Sequence, residues 1–392
     1  MPTPTSSPIP ATPAPSAGPA NSTGSAGPAP PAIEVQGLRK RFTGKNKTQT
    51  VDALKGISFS VPAGSIYGFL GPNGAGKTTT LRILLGLLHP TAGEVRLLGE
   101  TIAYPGGPAP ATRRRLTYLP QDPVFPARLN AIEVMELVTD LHGLERRAAA
   151  ERSRRLLADF DLANDARRPV KSFSRGMKQR LGLACALLPE PELLLLDEPV
   201  SALDPVGRYE VLTQLAALRG QATVFLSTHI LGDVERICDR VLIIHRGSKV
   251  TESDMGELLA RFTPPRYRVR TRPEEVERAA ATLKRLQTGG KLPWLLQIEL
   301  ESATANGDPA ALSALLVTAR AGRRGEMETE LLRVLVSSGV TVLEYSPVRA
   351  DLESVFLQLL PDRQSLPDKE EAGAANHATE GVRNSAADVD AQ

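Results

Sequence analysis

The decisive stretch is SIYGFLGPNGAGKTTTLRILLGLL, residues 65–88. Ser65 to Leu70 reads as a buried strand, and Lys77 to Leu88 carries apolar residues at the 3.6-residue spacing of a helix. Between them lies G-x-x-x-x-G-K-T, Gly71 to Thr78. This spacing puts Gly71, Gly74 and Gly76 in a loop whose backbone N–H groups can curl around phosphate oxygens. Lys77 adds a point charge for the β- and γ-phosphates, and Thr78 a hydroxyl for Mg²⁺. A loop between the end of a strand and the start of a helix also aims the helix dipole at the anion.

Phosphoryl transfer to water needs a second metal contact, a group to position the water and a sensor of the γ-phosphate. The run Glu192 to Pro199 (ELLLLDEP) supplies the first two. Its four leucines predict a central parallel strand buried on both faces, ending in Asp197 and Glu198. Strand geometry turns these two carboxylates to opposite sides, Asp197 toward Mg²⁺ and Glu198 toward the attacking water. Two further strands, Ala222 to Leu226 and Leu116 to Leu119, lead into His229 and Gln121. That is the edge where parallel sheets bind ligands. His229 there can bond a γ-phosphate, and Gln121 can touch Mg²⁺ or water.

In this order the pieces resemble the ATP-binding cassette (ABC) transporter ATPases. GPNGAGKT is similar to their Walker A motif, LLLLDEP to Walker B, Gln121 to the Q-loop, Ser201 to Pro205 (SALDP) to the D-loop, and His229 to the switch histidine. Phe173 to Arg180 (FSRGMKQR) occupies the place of the signature LSGGQ. Ser174 and Gly176 match its serine and central glycine, whereas Arg175 and Met177 replace the second glycine and the glutamine. Serine-x-glycine-methionine forms resemble bacterial export-type members. Leu38 to Phe42 matches the stretch that stacks an aromatic ring on adenine, with Phe42 in place of the usual tyrosine.

The resemblance runs from Ala32 to about Phe262 and implies a P-loop NTPase, ABC-type α/β domain. Such a domain has a RecA-like parallel core, an antiparallel β subdomain and a helical subdomain. It implies ATP and Mg²⁺ as cofactors. Glu198, His229 and Gln121 are the expected catalytic residues, and Thr78, Gln121 and Asp197 the metal contacts. Nucleotide contacts are expected at Phe42, Gly71, Pro72, Asn73, Gly74, Ala75, Gly76, Lys77, Thr78 and Thr79, with Ser174 and Gly176 reaching a nucleotide held by a second copy. Implied partners are a homodimer that sandwiches two ATPs and a separate polytopic membrane permease, docked along Gln121 to Leu141. No nucleic acid is expected. Two competing readings are a soluble ABC ATPase that remodels nucleic acid or ribosomes, and an importer ATPase. Against the first, the chain holds one cassette, with no coiled-coil or zinc-cysteine insertion before the signature.

Composition sets the remaining expectations. The 392 residues carry a net charge of +3 and two cysteines, Cys185 and Cys238, expected as reduced thiols inside helices. No apolar run approaches the roughly twenty residues that cross a bilayer, so a peripheral position on the inner face of the cell membrane is expected. Residues 1–31, almost wholly Pro, Ala, Ser, Thr and Gly, and residues 361–392 predict disordered ends. Asn130 and Glu133 predict a capping box opening a helix from Ala131 to His142, and a second helix is expected from Arg146 to Phe160. Pro264-Pro265 marks the start of a small α+β accessory domain, residues 263–360. It is expected to contain helices near Pro309 to Ala321 and Glu326 to Val336 and to finish with the helix Asp351 to Leu360. That last segment, DLESVFLQLL, resembles the ending of ATPase subunits of bacterial drug, antibiotic and lipid exporters.

Overall fold

The computed structural model describes residues 30–43, 50–301 and 314–360. Both expected disordered ends lie outside these residues, apart from the first segment's last two positions. The first described elements are two long antiparallel strands, β1 (Ile33–Thr43) and β2 (Thr50–Val61), followed by β3 (Ile66–Leu70) and α1 (Lys77–Leu84). Strands β4 (Ala92–Leu97) and β5 (Glu100–Thr101) complete a sheet in the order β2-β1-β4-β5. Then come α2 (Pro110–Arg115), β6 (Leu116–Leu119) and the helical layer α3 (Ala131–His142), α4 (Arg146–Asp159) and α5 (Arg175–Leu187). The chain re-enters the core as β7 (Leu193–Asp197), α6 (Pro205–Ala216), β8 (Thr223–Thr228), α7 (Leu231–Ile237), β9 (Arg240–His245), β10 (Ser248–Asp254) and α8 (Met255–Phe262). The core sheet has the order β10-β9-β3-β8-β7-β6, parallel except for β10.

The leucine run shows why β7 lies in the middle of this sheet. Leu193 and Leu195 pack on the side shared with the antiparallel sheet, while Leu194 and Leu196 pack on the side covered by helices. Alternate side chains of one strand thus fill two cores, and only a continuous apolar run can do so. On the first side Phe59 of β2 packs against Tyr67, Phe69 and Phe225, with ring centroids 5.9–6.3 Å apart, which fixes the antiparallel sheet to the parallel one.

The helix after the phosphate loop stops at Leu84, four residues short of the expected Leu88. Gly86 ends it with φ +71°, and a Cβ there would lie 2.1 Å from the Gly107 Cα. Close backbone approach therefore overrides the apolar periodicity. The capping box forms as expected: Glu133 N–H donates to Asn130 Oδ1 at 3.0 Å, and Asn130 N–H to Glu133 Oε2 at 2.8 Å. Of the arginine cluster at 113–115, Arg115 is committed to a two-pronged pair with Glu192. Cys238 is the extended residue that follows α7 rather than a helical one, because α7 ends at Ile237. Both cysteines are free.

Beyond Pro264-Pro265 the chain forms β11 (Arg266–Thr271), α9 (Val276–Thr288), β12 (Leu295–Glu301), β13 (Ala314–Ala319), α10 (Arg324–Ser337) and β14 (Val342–Pro347). The sheet order is β12-β13-β11-β14, every neighbouring pair antiparallel, the split βαβ arrangement. A separate core around the fully buried Trp294 joins α9 and α10 to one sheet face. The helix expected over Pro309 to Ala321 is, for its described part, strand β13; residues 309–313 lie outside the described ones. ALLVTA is a short apolar run, which periodicity alone cannot assign to helix or strand, and its place between two strands decides.

The closing helix α11 (Leu352–Leu359) does not finish the accessory domain. Leu352, Val355 and Phe356 bury in the helix-covered core of the first domain, and α11 packs on α7 and α8. Glu235 of α7 accepts from the Leu352 N–H at 2.8 Å, and Asp351 caps the helix through Ser354 N–H at 2.7 Å. The accessory unit is therefore an excursion of residues 266–347, after which the chain returns to the first domain.

Candidate active site

The expected catalytic groups meet at the C-terminal edge of the parallel sheet. Strand β3 delivers the phosphate loop, β7 delivers Asp197 and Glu198, and β8 delivers His229. They surround a cavity of about 230 Å³ lined by Asn73, Gly74, Thr78, Thr79, Gln121 and Glu198, among others. Gly76, with φ +112°, explains the glycine requirement at the bend, because a Cβ there would lie 2.8 Å from the Ala53 carbonyl oxygen. Ala53 itself lines the cavity, a role its sequence position does not signal.

Asp197 is fastened from both sides. Thr78 Oγ1 donates to its Oδ2 at 3.1 Å, and Ser227 Oγ donates to its Oδ1 at 3.0 Å. Ser227 is the residue of β8 in register with Asp197 of β7. Sequence reasoning did not assign it a role, since strand adjacency is the only signal for it. Glu198 turns away from its neighbour through a left-handed backbone, φ +52°, a strain that non-glycine residues keep mainly at functional positions. Its N–H donates to the Ser227 carbonyl at 2.8 Å, and its own carbonyl accepts from Ser201 Oγ at 3.1 Å. The side chain is buried, with His229 Nδ1 2.8 Å from Oε1 and Lys77 Nζ 3.7 Å from the same oxygen. Lys77 Nζ also donates to the Gly71 carbonyl at 2.7 Å.

Burial works against the charges of this cluster. It holds the Lys77 ammonium below the usual lysine range, opposed by Glu198 and Asp197. It pushes the Asp197 carboxyl above the usual carboxylate range, opposed by the Ser227 and Thr78 hydroxyls. The donor set fits a Mg²⁺–nucleotide. It combines one buried carboxylate, a hydroxyl and an amide, all hard oxygen donors, beside a loop that only glycine can shape. Among the described residues no cluster of three or more His, Cys, Asp or Glu is placed to hold a metal ion.

The raised Asp197 pKa makes a stability prediction. The folded state holds this proton more tightly than the unfolded chain, so stability falls as pH rises through the raised value. Asp197→Asn is expected to melt higher than the parent at neutral pH, with the gap closing toward acid. It should gain no further stabilisation from Mg²⁺–ATP. Calorimetry across pH, with and without nucleotide, checks both; a lower melting point at neutral pH would contradict the account.

The other expected contacts lie apart from this cavity. Phe42 is on β1, opposite Val51 of β2, 41 % exposed with Lys40 Nζ 5.1 Å from its ring. Ser174 caps α5, accepting from Met177 N–H at 3.1 Å, and a Cβ on Gly176 would lie 3.2 Å from the Ala202 carbonyl. One neighbour was not foreseen: Phe356 of α11 lines a second cavity with His229, His245 and the loop residues Gly71 to Ala75.

The ABC transporter family profile matches residues 54–201, which span the phosphate loop through Glu198. An ABC transporter ATP-binding protein of Bacillus subtilis, YxlF, is 36 % identical over 309 residues, 79 % of this chain and 95 % of the relative. The daunorubicin resistance ATP-binding protein DrrA3 of Streptomyces coeruleorubidus is 35 % identical over 84 % of this chain and 96 % of its own length. A solved ATP-binding subunit of an ABC transporter superposes with a TM-score of 0.53 at 31 % identity, covering 59 % of this chain and 93 % of that one. With the phosphate loop, Asp197, Glu198 and His229 assembled on one sheet edge, this chain belongs to the ABC transporter ATP-binding proteins.

Proposed function

We propose that this ATPase drives export of a substrate through a separate membrane permease, closing on a second copy of itself around two ATP molecules. The observation that carries the hydrolytic part is the Glu198 carboxylate, buried and gripped between His229 and Lys77 at the mouth of the phosphate loop. Bound Mg²⁺ would neutralise phosphate charge and orient the transferred group. Thr78 and Asp197, already hydrogen-bonded to each other, are the groups to hold it, with Gln121 at the cavity rim. Glu198 orients the water and takes its proton. His229 keeps that carboxylate in place, and Lys77 with the loop N–H groups holds the phosphates.

The permease part rests on a different surface. Next to Gln121, a groove of about 420 Å³ is lined by Pro123, Val124, Phe125 and Val138. Val124 is 91 % exposed, and Leu141 on the same helical layer is 76 % exposed. Apolar side chains so open, Val124 in the groove's lining and Leu141 on the helix α3 that also supplies Val138 to it, fit a helical partner. Among the described residues no helix is long and apolar enough to cross a membrane, so a transmembrane path fits another polypeptide. The daunorubicin resistance relative and the DLESVFL ending favour export over import.

The test is capture of Glu198→Gln protein with ATP from detergent-solubilised membranes. A polytopic membrane protein is expected, and Val124→Asp together with Leu141→Asp should abolish its recovery while leaving ATP binding intact. Ribosomal proteins or DNA in its place would overturn the transporter reading.

A further inference from the structure

The signature segment departs from its family at Arg175, and this residue has a partner. Arg175 Nε donates to Asp122 Oδ1 at 2.8 Å, and its terminal Nη2 lies at the same distance from that oxygen. Asp122 directly follows Gln121, which lines the catalytic cavity. A cation at the start of the signature helix is therefore tied, across 53 residues of sequence, to the segment that senses the site.

Packing beneath the ion pair is tight. On α5, residues 175, 179 and 182 follow one face. A Cβ on Gly182 would lie 2.5 Å from Leu119 Cδ1 and 3.3 Å from Pro123 Cβ, so this face lies directly on the Leu119–Pro123 segment. Gln179, one turn beyond Arg175, is wholly buried, yet neither its amide oxygen nor its nitrogen has a hydrogen-bond partner. The pair above it is exposed on both sides, 59 % for Arg175 and 64 % for Asp122, and exposed pairs hold weakly enough to exchange partners.

We propose that Asp122 is the resting partner of Arg175, and that the phosphate chain of a nucleotide held by a second copy takes Arg175 from it. This rests on the ATP-sandwich reading above. A guanidinium binds a phosphate's two oxygens in the same fork geometry that it offers a carboxylate, and a phosphate carries more charge. The exchange couples closure of the dimer to release of the Gln121 segment from α5. Arg175 acts as a phosphate-binding residue toward the second copy's nucleotide, and Asp122 sets how much ATP is needed to recruit it.

The experiment measures the ATP concentration for half-maximal dimer formation in the Glu198→Gln background, by light scattering. Asp122→Asn is expected to lower it about two- to five-fold, the range of an exposed ion pair. Arg175→Gln should raise it, and Arg175→Lys should recover part of the loss. With Arg175→Gln already present, Asp122→Asn should change nothing. In protein that retains Glu198, Asp122→Asn should lower KM for ATP with kcat nearly unchanged. An unshifted midpoint for Asp122→Asn, or the same shift with and without Arg175, overturns the exchange. Glu198→Gln protein that stays monomeric at saturating ATP overturns the sandwich itself, so the two failures are distinct. Unchanged melting of these surface variants excludes misfolding as the cause.

Discussion

Glu198→Gln is expected to slow ATP hydrolysis by about 10²- to 10⁴-fold, the usual contribution of a positioned general base, while ATP binds as tightly as before or more so. The two halves of this result have separate causes. Glutamine keeps the length of the side chain and an oxygen able to face His229 Nδ1, now 2.8 Å from Glu198 Oε1, so the cavity keeps its shape. It cannot accept the proton of an attacking water. It also removes a negative charge lying 3.7 Å from Lys77 Nζ, and in a buried site a missing anion makes room for the phosphate anion. The complex should accumulate rather than fail to form. Single-turnover hydrolysis alongside equilibrium nucleotide binding separates the two effects. A variant that keeps more than a tenth of the parent rate would remove Glu198 from the role of base.

Much of this site could be read before the fold was known, and the reason lies in where its parts sit. Gly71 to Thr78, Asp197, Glu198 and His229 each follow a short apolar run that reads as a buried strand, so each local reading already pointed to the ligand edge of a parallel sheet. What joins them was hidden. Ser227 meets Asp197 only because β8 lies beside β7, and sheet order leaves no mark on either strand. Asp122 and Arg175 meet for a similar reason, through the seating of α5 on the chain beyond β6.

The C-terminal third was less legible. The apolar face of α11 was plain in its spacing, but periodicity says that a face is buried and not against what. Leu352, Val355 and Phe356 had two cores to choose from, and joined that of the nucleotide domain. ALLVTA misled for a second reason, because six apolar residues suit a helix or a central strand equally until their neighbours are fixed. A consequence for function follows from α11. The accessory unit is tethered to the first domain at both its entry and its exit, and the exit places Phe356 beside the phosphate loop and His229.

Lys77→Ala should show the opposite signature to Glu198→Gln: nucleotide affinity falls by roughly thirty-fold or more, the effect of truncating one partner of a buried charge contact, about 2–5 kcal/mol. Lys77 Nζ is gathered by the Gly71 carbonyl at 2.7 Å and stands near both carboxylates. Alanine leaves the loop backbone in place but leaves Asp197 and Glu198 without their nearest buried cation, so phosphate would approach uncompensated negative charge. The pH dependence follows from the direction of the Lys77 shift. Burial holds its pKa below that of an ordinary lysine, so the free protein loses the charge at a lower pH than an exposed lysine would. Affinity for ATP should therefore decline in the alkaline range before exposed lysines titrate, and Lys77→Ala should show no such decline. Thermal shift offers a second readout, since a ligand stabilises only the folded state that binds it. ATP should raise the melting temperature of Glu198→Gln protein and leave that of Lys77→Ala protein nearly unmoved. An equal ATP-induced shift in both would mean that the nucleotide is held somewhere other than the cavity these two side chains share.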